Sequence, residues 1–245
     1  MDLLGEAKKR FIAEIERHGC RLAEEIVVSA PLSAQQAIGD PGRDDLAILR
    51  GREVLVQAVF RGCAGQAFSV DMGRFKGSLG DVLTMPLNSI FERAVLVSTM
   101  NAVLRCLGLV EGTVHCRDCG PNMCALSSEA WIREQKAEKV GMVGLQPPLL
   151  EAIVRAMGPE RVMVSDLAEA GNERCGVNVL DGLDSSLIFE QCQLVLITGS
   201  TLVNGTIDGL MELAETHGTR VVFFGTTISG AAYLLRLERW CPEST

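Results

Sequence analysis

Residues 194–206 combine a buried run with a cluster of hydroxyl and amide side chains. The apolar run 194–198 (LVLIT) predicts a strand that ends in a polar loop. The candidate ligand residues of this loop are Thr198, Gly199, Ser200, Thr201, Asn204 and Thr206. Ligands of open α/β sheets bind beyond the carboxyl ends of the strands, and N–H groups at a helix start attract anionic or carbonyl groups. The structural alternative is that Asn204 or Thr206 caps the following helix. Capping accounts for one polar residue, whereas this loop contains several.

A second polar loop, 225–230 (GTTISG), follows the next predicted strand and adds Thr226 and Thr227 to the candidates. Neighbouring parallel strands joined by one crossover share an edge, so the two loops are expected to lie side by side. Gly77, Ser78 and Asn101 from the first half of the chain are expected to form the opposite wall. The alternatives are a strand-to-helix connection over 73–81 and a satisfied buried amide at Asn101.

Four residues within ten positions, His115, Cys116, Cys119 and Cys124, form a candidate metal site. Thiolate and imidazole ligands suit zinc, iron or another thiophilic metal, whose identity the sequence leaves open. Gly120-Pro121 is expected to let the chain turn back on itself. The sequence has no second Cys-x-x-Cys, so a loop with reduced thiols is the alternative.

The first strand of the second half ends in Gly144-Leu145-Gln146-Pro147-Pro148. This segment lacks the G-x-G-x-x-G pattern, and its two prolines remove N–H donors that a phosphate group would use, which disfavours ordinary NAD binding. Asp166, at the end of the next strand, is placed to meet a ribose hydroxyl. A nucleotide- or S-adenosyl-binding transferase-like enzyme therefore remains the alternative function, and catalytic residues are not identified.

The elements that must position these residues change rhythm along the chain. The first half predicts an α+β domain, with a helix at 3–18, a strand at 25–29, a hairpin of 53–60 and 66–71, irregular structure around Gly73, Gly77 and Gly80, and a helix at 86–107 that has Pro86 in its first turn. The second half alternates apolar strands (139–145, 161–166, 194–198, 220–225) with helices (148–157, 183–190, 207–217, 231–237). This alternation predicts a Rossmann-like parallel sheet. The boundary is expected near 131–136.

Composition restricts the classes of partner. A net charge of −8 and 4% aromatic residues disfavour a nucleic-acid surface. No apolar run has membrane-spanning length, and the charged N-terminus is unlike a signal peptide. We therefore expect a cytoplasmic protein with reduced cysteines and a small-molecule or metal ligand, and a homodimer is compatible with the sequence.

The motif from Ile197 to Thr206, with 144–148 before it, resembles a family associated with heavy-metal chelation, whose function is not established. Segments 37–39, 65–68, 77–79 and 101–103 resemble the companion N-terminal domain of that family. Segment 113–116, with Asp118 and Cys124, resembles one branch of the family. The resemblance implies an enolase-N-terminal-like α+β domain (1–135), a Rossmann-like domain (136–245) and a ligand cleft between them. It also implies binding or chelation of a metal or metal cofactor, in anaerobic or cofactor metabolism. Cys119 stands where an acidic residue is expected in the related branch.

Overall fold

The computed structural model describes residues 1–51 and 53–245. The elements of its first half are α1 (Leu3–Arg17), β1 (Glu25–Val28), α2 (Ala34–Ile38), β2 (Val54–Phe60), β3 (Cys63–Ser69), β4 (Phe75–Ser78), α3 (Leu79–Thr84) and α4 (Ile90–Cys106). The strands form an antiparallel sheet of order β3-β2-β1-β4. The α+β character of this half agrees with the sequence prediction, whereas its enolase-like name stays a prediction.

The second half is built around a parallel sheet. Its elements are α5 (Gly120–Gln135), β5 (Val140–Val143), α6 (Pro147–Met157), a short 3-10 helix (Pro159–Arg161), β6 (Val162–Asp166), β7 (Glu173–Arg174), β8 (Val177–Asp181), α7 (Ser186–Gln191), β9 (Leu194–Thr198), α8 (Ser200–Asn204), α9 (Ile207–His217), β10 (Arg220–Phe224) and α10 (Ser229–Leu235). The strand order is β10-β9-β5-β6-β8-β7, and only β7 is antiparallel to its neighbour. The predicted α/β class is confirmed.

Helix α4 joins the two halves through one core. It begins with a capping box in which the Ser89 side chain accepts from the N–H of Glu92, while the Glu92 carboxylate accepts from the N–H of Ser89. Every residue from Ala94 to Leu104 is buried. The helix packs on β2 and β3 on one side and contacts α8 and α10 on the other. A helix that is buried all round fixes the position of the polar groups it carries.

Two predictions for the first half are wrong. Gly77 lies inside β4, where it pairs with Ile26, and Gly80 lies in α3, so these two glycines do not break regular structure, whereas Gly73 stands in irregular structure as predicted. Pro86 precedes α4, because the Ser89 capping box starts the helix three residues later. Propensity placed Pro86 at the first turn, but the capping side chains decide where this helix begins.

Two predictions for the second half are also wrong. Gly120-Pro121 does not turn the chain back, since both residues stand in the first turn of α5, where proline loses no helical hydrogen bond. The segment 198–206, which was predicted to be a loop, contains the helix α8. The sheet also has two short strands, β7 and β8, that the sequence did not predict. The domain boundary at 135/136 stays a prediction. It coincides with the C-terminal end of α5, which packs against α6.

Within residues 1–51 and 53–245, no helix has both the length and the apolar content that crossing a bilayer requires.

Candidate functional site

The ends of β5, β9 and β10 form one edge of the parallel sheet. β5 lies between β9 and β6, so the chain leaves β5 towards one side of the sheet and later continues on the other side. Such a switch point opens a crevice beyond the strand ends. Gly144 follows β5 with a φ of +87°, and a Cβ there would lie 2.3 Å from Cγ2 of Thr198. Only glycine allows the ends of β5 and β9 to approach this closely.

A cavity of about 240 Å³ occupies this edge and is closed on its other side by residues of the first half, including Phe68 and Val70. Ten of the predicted site residues line it: Thr198, Gly199, Ser200, Thr201, Asn204, Thr206, Thr227, His115, Cys116 and Cys124. The polar strand ends and the His-Cys segment, which are far apart in sequence, therefore share one cavity wall. Their binding roles remain predictions.

The hydroxyls at the end of β9 differ in how strongly they are engaged. The Thr201 hydroxyl donates to the carbonyl of Thr198 at 2.7 Å, which ties it to the local backbone. The Thr198 and Ser200 hydroxyls meet each other only at 3.4 Å, and the N–H of Ser200 reaches the Thr198 hydroxyl at the same distance. These long contacts are weak hydrogen bonds, so both hydroxyls can bond to a ligand.

Asn101 serves the contact between the two halves. Its amide nitrogen donates to the carbonyls of Gln66 (2.8 Å), Thr226 (3.1 Å) and Thr227 (3.2 Å), and its amide oxygen accepts from the N–H of Gly230 (2.7 Å). The residue is fully buried. The alternative of a satisfied buried amide therefore describes Asn101, which lies behind the cavity wall.

The Thr226 hydroxyl is also buried and has no hydrogen-bond partner among the described residues. Thr227 does line the cavity, and its hydroxyl accepts from the N–H of Phe68 at 3.0 Å. Of the two predicted threonines, the structure brings only Thr227 to the cavity, where it also joins the two halves.

Three other predicted residues lie away from the cavity. Ser78 caps α3 by accepting from the N–H of Asp81, and the neighbouring Gly77 packs near the Phe75 ring in β4. Cys119 precedes α5 and is exposed. The structure thus does not place Gly77, Ser78 or Cys119 with the other candidates. β4 lies at the edge of the antiparallel sheet opposite β3, whose Phe68 lines the cavity, and Cys119 is exposed.

His115 is held by its own segment. Its Nδ1 lies 2.6 Å from the carbonyl oxygen of Cys116, and its backbone N–H donates to the Gln66 side chain. Its ring is nearly perpendicular to that of Phe68, with 5.4 Å between the centroids. Burial lowers the pKa of His115, which keeps the imidazole neutral at physiological pH. Because the hydrogen bond to a carbonyl requires a proton on Nδ1, Nε2 carries the free lone pair.

Three thiols are gathered at the cavity wall: Cys116, Cys124 and Cys241. Burial raises the pKa of Cys116 well above its usual range, and the neighbouring Cys241 and Cys124 raise it further. Burial, with Cys241 beside it, raises the pKa of Cys124 to about 12. Cys241 is brought here by the C-terminal segment, whose Trp240 stacks on Trp131 of α5 at 4.9 Å.

The described residues contain no group of three or more His, Cys, Asp or Glu side chains arranged to hold a metal ion. The described residues therefore do not bring the four predicted ligands together as a metal site, and Cys119 lies outside the cavity. The thiols at the cavity still suit a soft metal by donor type. A metal seated there would need donors beyond those that the described part of the chain supplies.

Acidic residues form another part of the wall. The carboxylate of Asp166 accepts from the N–H groups of Leu145 (2.7 Å), Ala168 (2.8 Å) and Glu169 (3.1 Å), so it organises the loops after β5 and β6. Burial and the charge of Asp166 raise the pKa of Glu53 to about 7. Glu53 is thus a carboxyl that titrates near neutral pH inside the cavity.

Two arginines balance part of this negative charge. Glu169 is buried, and its carboxylate lies 2.5 Å from Arg174 and 3.6 Å from Arg50. Sequence reasoning missed these three residues together with Glu53 and Cys241. Each comes from a segment without a local motif, so only the tertiary fold brings them to the cavity, and no sequence signal marked them.

Comparisons with known proteins support the resemblance found in the sequence. Residues 128–237 match the family model DUF364, described as "Putative heavy-metal chelation". A DUF364 protein of unknown function from Pyrococcus horikoshii shares the fold, with 16% identity, a TM-score of 0.56, and coverage of 92% of this chain and 79% of the other.

A second solved structure, a DUF364 protein of unknown function from Desulfitobacterium hafniense, has 16% identity, a TM-score of 0.49, and coverage of 74% of this chain and 72% of the other. No curated protein matches the chain. The resemblance is confirmed: residues 128–237 of this chain match the DUF364 family model.

Proposed function

We propose that this protein binds a small molecule that carries a soft metal ion, and that it does so in the cavity between its two halves. The observation that carries the proposal is the shared wall: the thiols of Cys116, Cys124 and Cys241 line the same cavity as the hydroxyls of Thr198 and Ser200. Thiols serve a soft metal, and hydroxyls serve the polar atoms of an organic ligand.

The donor count favours a metal complex over a bare ion. The described residues lack a group of three donors suited to a metal, so a stable site needs ligands from elsewhere. A small molecule that already chelates the ion supplies them, and one or two thiols then complete the coordination. The family description, heavy-metal chelation, agrees with this chemistry.

The raised pKa values make metal binding depend on pH. Cys116 and Cys124 are protonated at neutral pH because burial disfavours their thiolates. A thiol must lose its proton to bind a metal, so binding releases protons and strengthens as the pH rises. His115 can contribute a neutral Nε2, which needs no deprotonation.

The experiment is metal analysis of protein purified without oxygen. Wild type is compared with Cys116→Ala, Cys124→Ala and, as the matched control, Cys119→Ala, whose thiol is exposed and outside the cavity. Metal is expected in wild type and in Cys119→Ala, and reduced in the other two variants. Equal metal in all four proteins, or negligible metal in all, contradicts the proposal.

A second candidate is a transferase-like enzyme that binds a nucleotide or an S-adenosyl compound. The strand order favours it, because the switch point between β5 and β9 is where such ligands bind in doubly wound sheets. Pro147 and Pro148 count against a phosphate site, and three backbone N–H groups already engage Asp166. A thermal-shift screen tests it, since a ligand at a hundred times its Kd adds roughly 2.7 kcal/mol of stability. No shift with ATP or S-adenosylmethionine counts against this candidate.

A further inference from the structure

Two cysteines outside the cavity lie at the ends of packed elements. Cys63 is the first residue of β3, and Cys106 is the last residue of α4. Both thiols are half-buried, so small reagents reach them. The cavity does not include them.

Helix α4 crosses β3 in a defined register. Asn101 donates to the carbonyl of Gln66 at 2.8 Å. Gly65 faces the helix so closely that a Cβ there would lie 2.1 Å from the backbone nitrogen of Ala102. The middle of β3 therefore lies against residues 101 and 102 of α4.

The register continues towards Cys63 and Cys106. Arg105 donates to the hydroxyl of Thr113 at 3.2 Å, and that hydroxyl donates to the carbonyl of Ala64 at 3.0 Å. Moving towards the start of β3 thus corresponds to moving towards the end of α4, so the two elements run antiparallel.

Side chains two apart on a strand share a face, so Cys63 faces α4 as Gly65 does. Two strand residues span about 6.8 Å, and the helical turn from Ala102 to Cys106 spans about 6 Å. The register therefore sets Cys63 opposite Cys106. Burial and the neighbouring Cys63 thiol raise the pKa of Cys106 to about 11, which agrees with this placement.

We propose that Cys63 and Cys106 are an oxidation site that closes as a reversible disulfide on reaction with a low-molecular-weight disulfide such as glutathione disulfide. One protein thiolate attacks the small disulfide, forms a mixed disulfide and releases one thiol. The second protein thiolate then displaces the remaining half and releases a second thiol. Two S–H bonds of the protein are replaced by one S–S bond, and the small disulfide is reduced to two thiols.

The crosslink would fix the C-terminal end of α4 to the β2–β3 hairpin. The same helix carries Asn101, which holds the Thr226–Gly230 segment behind the cavity wall. Oxidation at this pair therefore acts on the element that joins the two halves. It does not consume a thiol of the cavity.

The test treats the full chain with glutathione disulfide, blocks the remaining thiols with an alkylating reagent and digests it without reduction. Mass spectrometry is expected to find a peptide crosslinked between Cys63 and Cys106, with both residues protected from alkylation. A reducing agent should reverse both signals. Cys119, which is exposed, serves as the internal control and should form only a mixed disulfide with glutathione.

Cys63→Ser is expected to remove the crosslink and leave Cys106 alkylated or glutathionylated, whereas Cys119→Ser should leave the crosslink intact. The wild-type measurement stands without any variant, so a variant that does not fold leaves the test valid. The proposal is overturned if Cys63 and Cys106 acquire only mixed disulfides or no modification. It is equally overturned if either thiol pairs instead with Cys20, which lies close enough to Cys106 to raise its pKa.

Discussion

Replacing Asn101 by alanine tests whether one buried amide holds the two halves together. The change removes all four contacts of the side chain, to the carbonyls of Gln66, Thr226 and Thr227 and to the N–H of Gly230. An amide has two N–H donors, so the three carbonyls share two full donor bonds, and the amide oxygen adds one accepted bond.

The expected loss follows from this count. Each buried group left without a partner costs about 1–3 kcal/mol, so three lost bonds reduce the free energy of unfolding by about 3 kcal/mol or more. For a chain of this size, about 1 kcal/mol corresponds to roughly 2–4 °C in Tm, which gives a fall of roughly 6–12 °C. Asn101→Asp should cost more, because its carboxylate faces three carbonyl oxygens.

The assay is thermal and denaturant unfolding of the variant beside Thr99→Val. Thr99 lies on the same helix and is fully buried, and its hydroxyl has no hydrogen-bond partner in the described part of the chain. Its replacement by valine, which has nearly the same shape, loses no bond and removes an unpartnered buried hydroxyl, so the free energy of unfolding should stay the same or rise. If Asn101→Ala is as stable as Thr99→Val, the interpretation of Asn101 as the joining residue is wrong.

Three further predictions concern other positions. Burial raises the pKa of Glu53 from 4.5 to about 7 in the folded protein, so between these pH values the unfolded chain ionises more readily than the folded one. As the pH rises from about 4.5 to 7, the free energy of unfolding of wild type should therefore fall by about 3 kcal/mol relative to that of Glu53→Gln. Equal pH profiles of the two proteins in urea titrations contradict this. Gly65→Ala should prevent stable folding because of the contact with Ala102, whereas Gly209→Ala, with open space around it, should gain up to about 1 kcal/mol in the same unfolding assay; the reverse order would refute the packing argument. Ser78→Ala should cost about 1 kcal/mol through loss of its cap yet leave metal content unchanged, and a loss of metal would restore Ser78 to the site.

The sequence predicts most elements of the second half because apolar runs and helical periods alternate there. The four predicted strands correspond to β5, β6, β9 and β10. The strand β7 has two residues and β8 has five, and neither contains a long apolar run. Hydrophobic periodicity therefore did not predict them. Short elements of this kind depend on pairing with a neighbour, which the local sequence does not show.

Glycine and proline caused the main errors near the candidate site. Gly120-Pro121 was interpreted as a turn, yet proline in the first turn is compatible with a helix, and α5 begins there. The glycines of 199–205 suggested a loop, but the residues between them form α8. Local propensity therefore placed the site at the right strand ends while misjudging the backbone that presents it.

The composition of the cavity wall could be predicted only in part, because many of its members depend on long-range packing. Thr198 and Ser200 follow a strand whose end is predictable, so their position follows from topology. Cys241 reaches the cavity because Trp240 stacks on Trp131, a contact between segments more than one hundred residues apart. No spacing rule connects Cys241 with Cys116, and this explains why the sequence proposed Cys119 as the partner instead.

The joining hydrogen bonds also determine how the cavity is presented to a ligand. Asn101 and the Thr227 hydroxyl both bond to backbone groups of the opposite half, and the Ser229 hydroxyl donates to the carbonyl of Gly112 at 2.7 Å. A hydrogen bond from a side chain to a backbone atom fixes the position of the backbone in addition to the rotamer of the side chain. Because these bonds join one part of the protein to another, they hold the cavity walls in place, and little ordering of the walls opposes ligand binding. We therefore expect the choice of ligand to depend on the weakly bonded hydroxyls of Thr198 and Ser200 and on the thiols of Cys116 and Cys124.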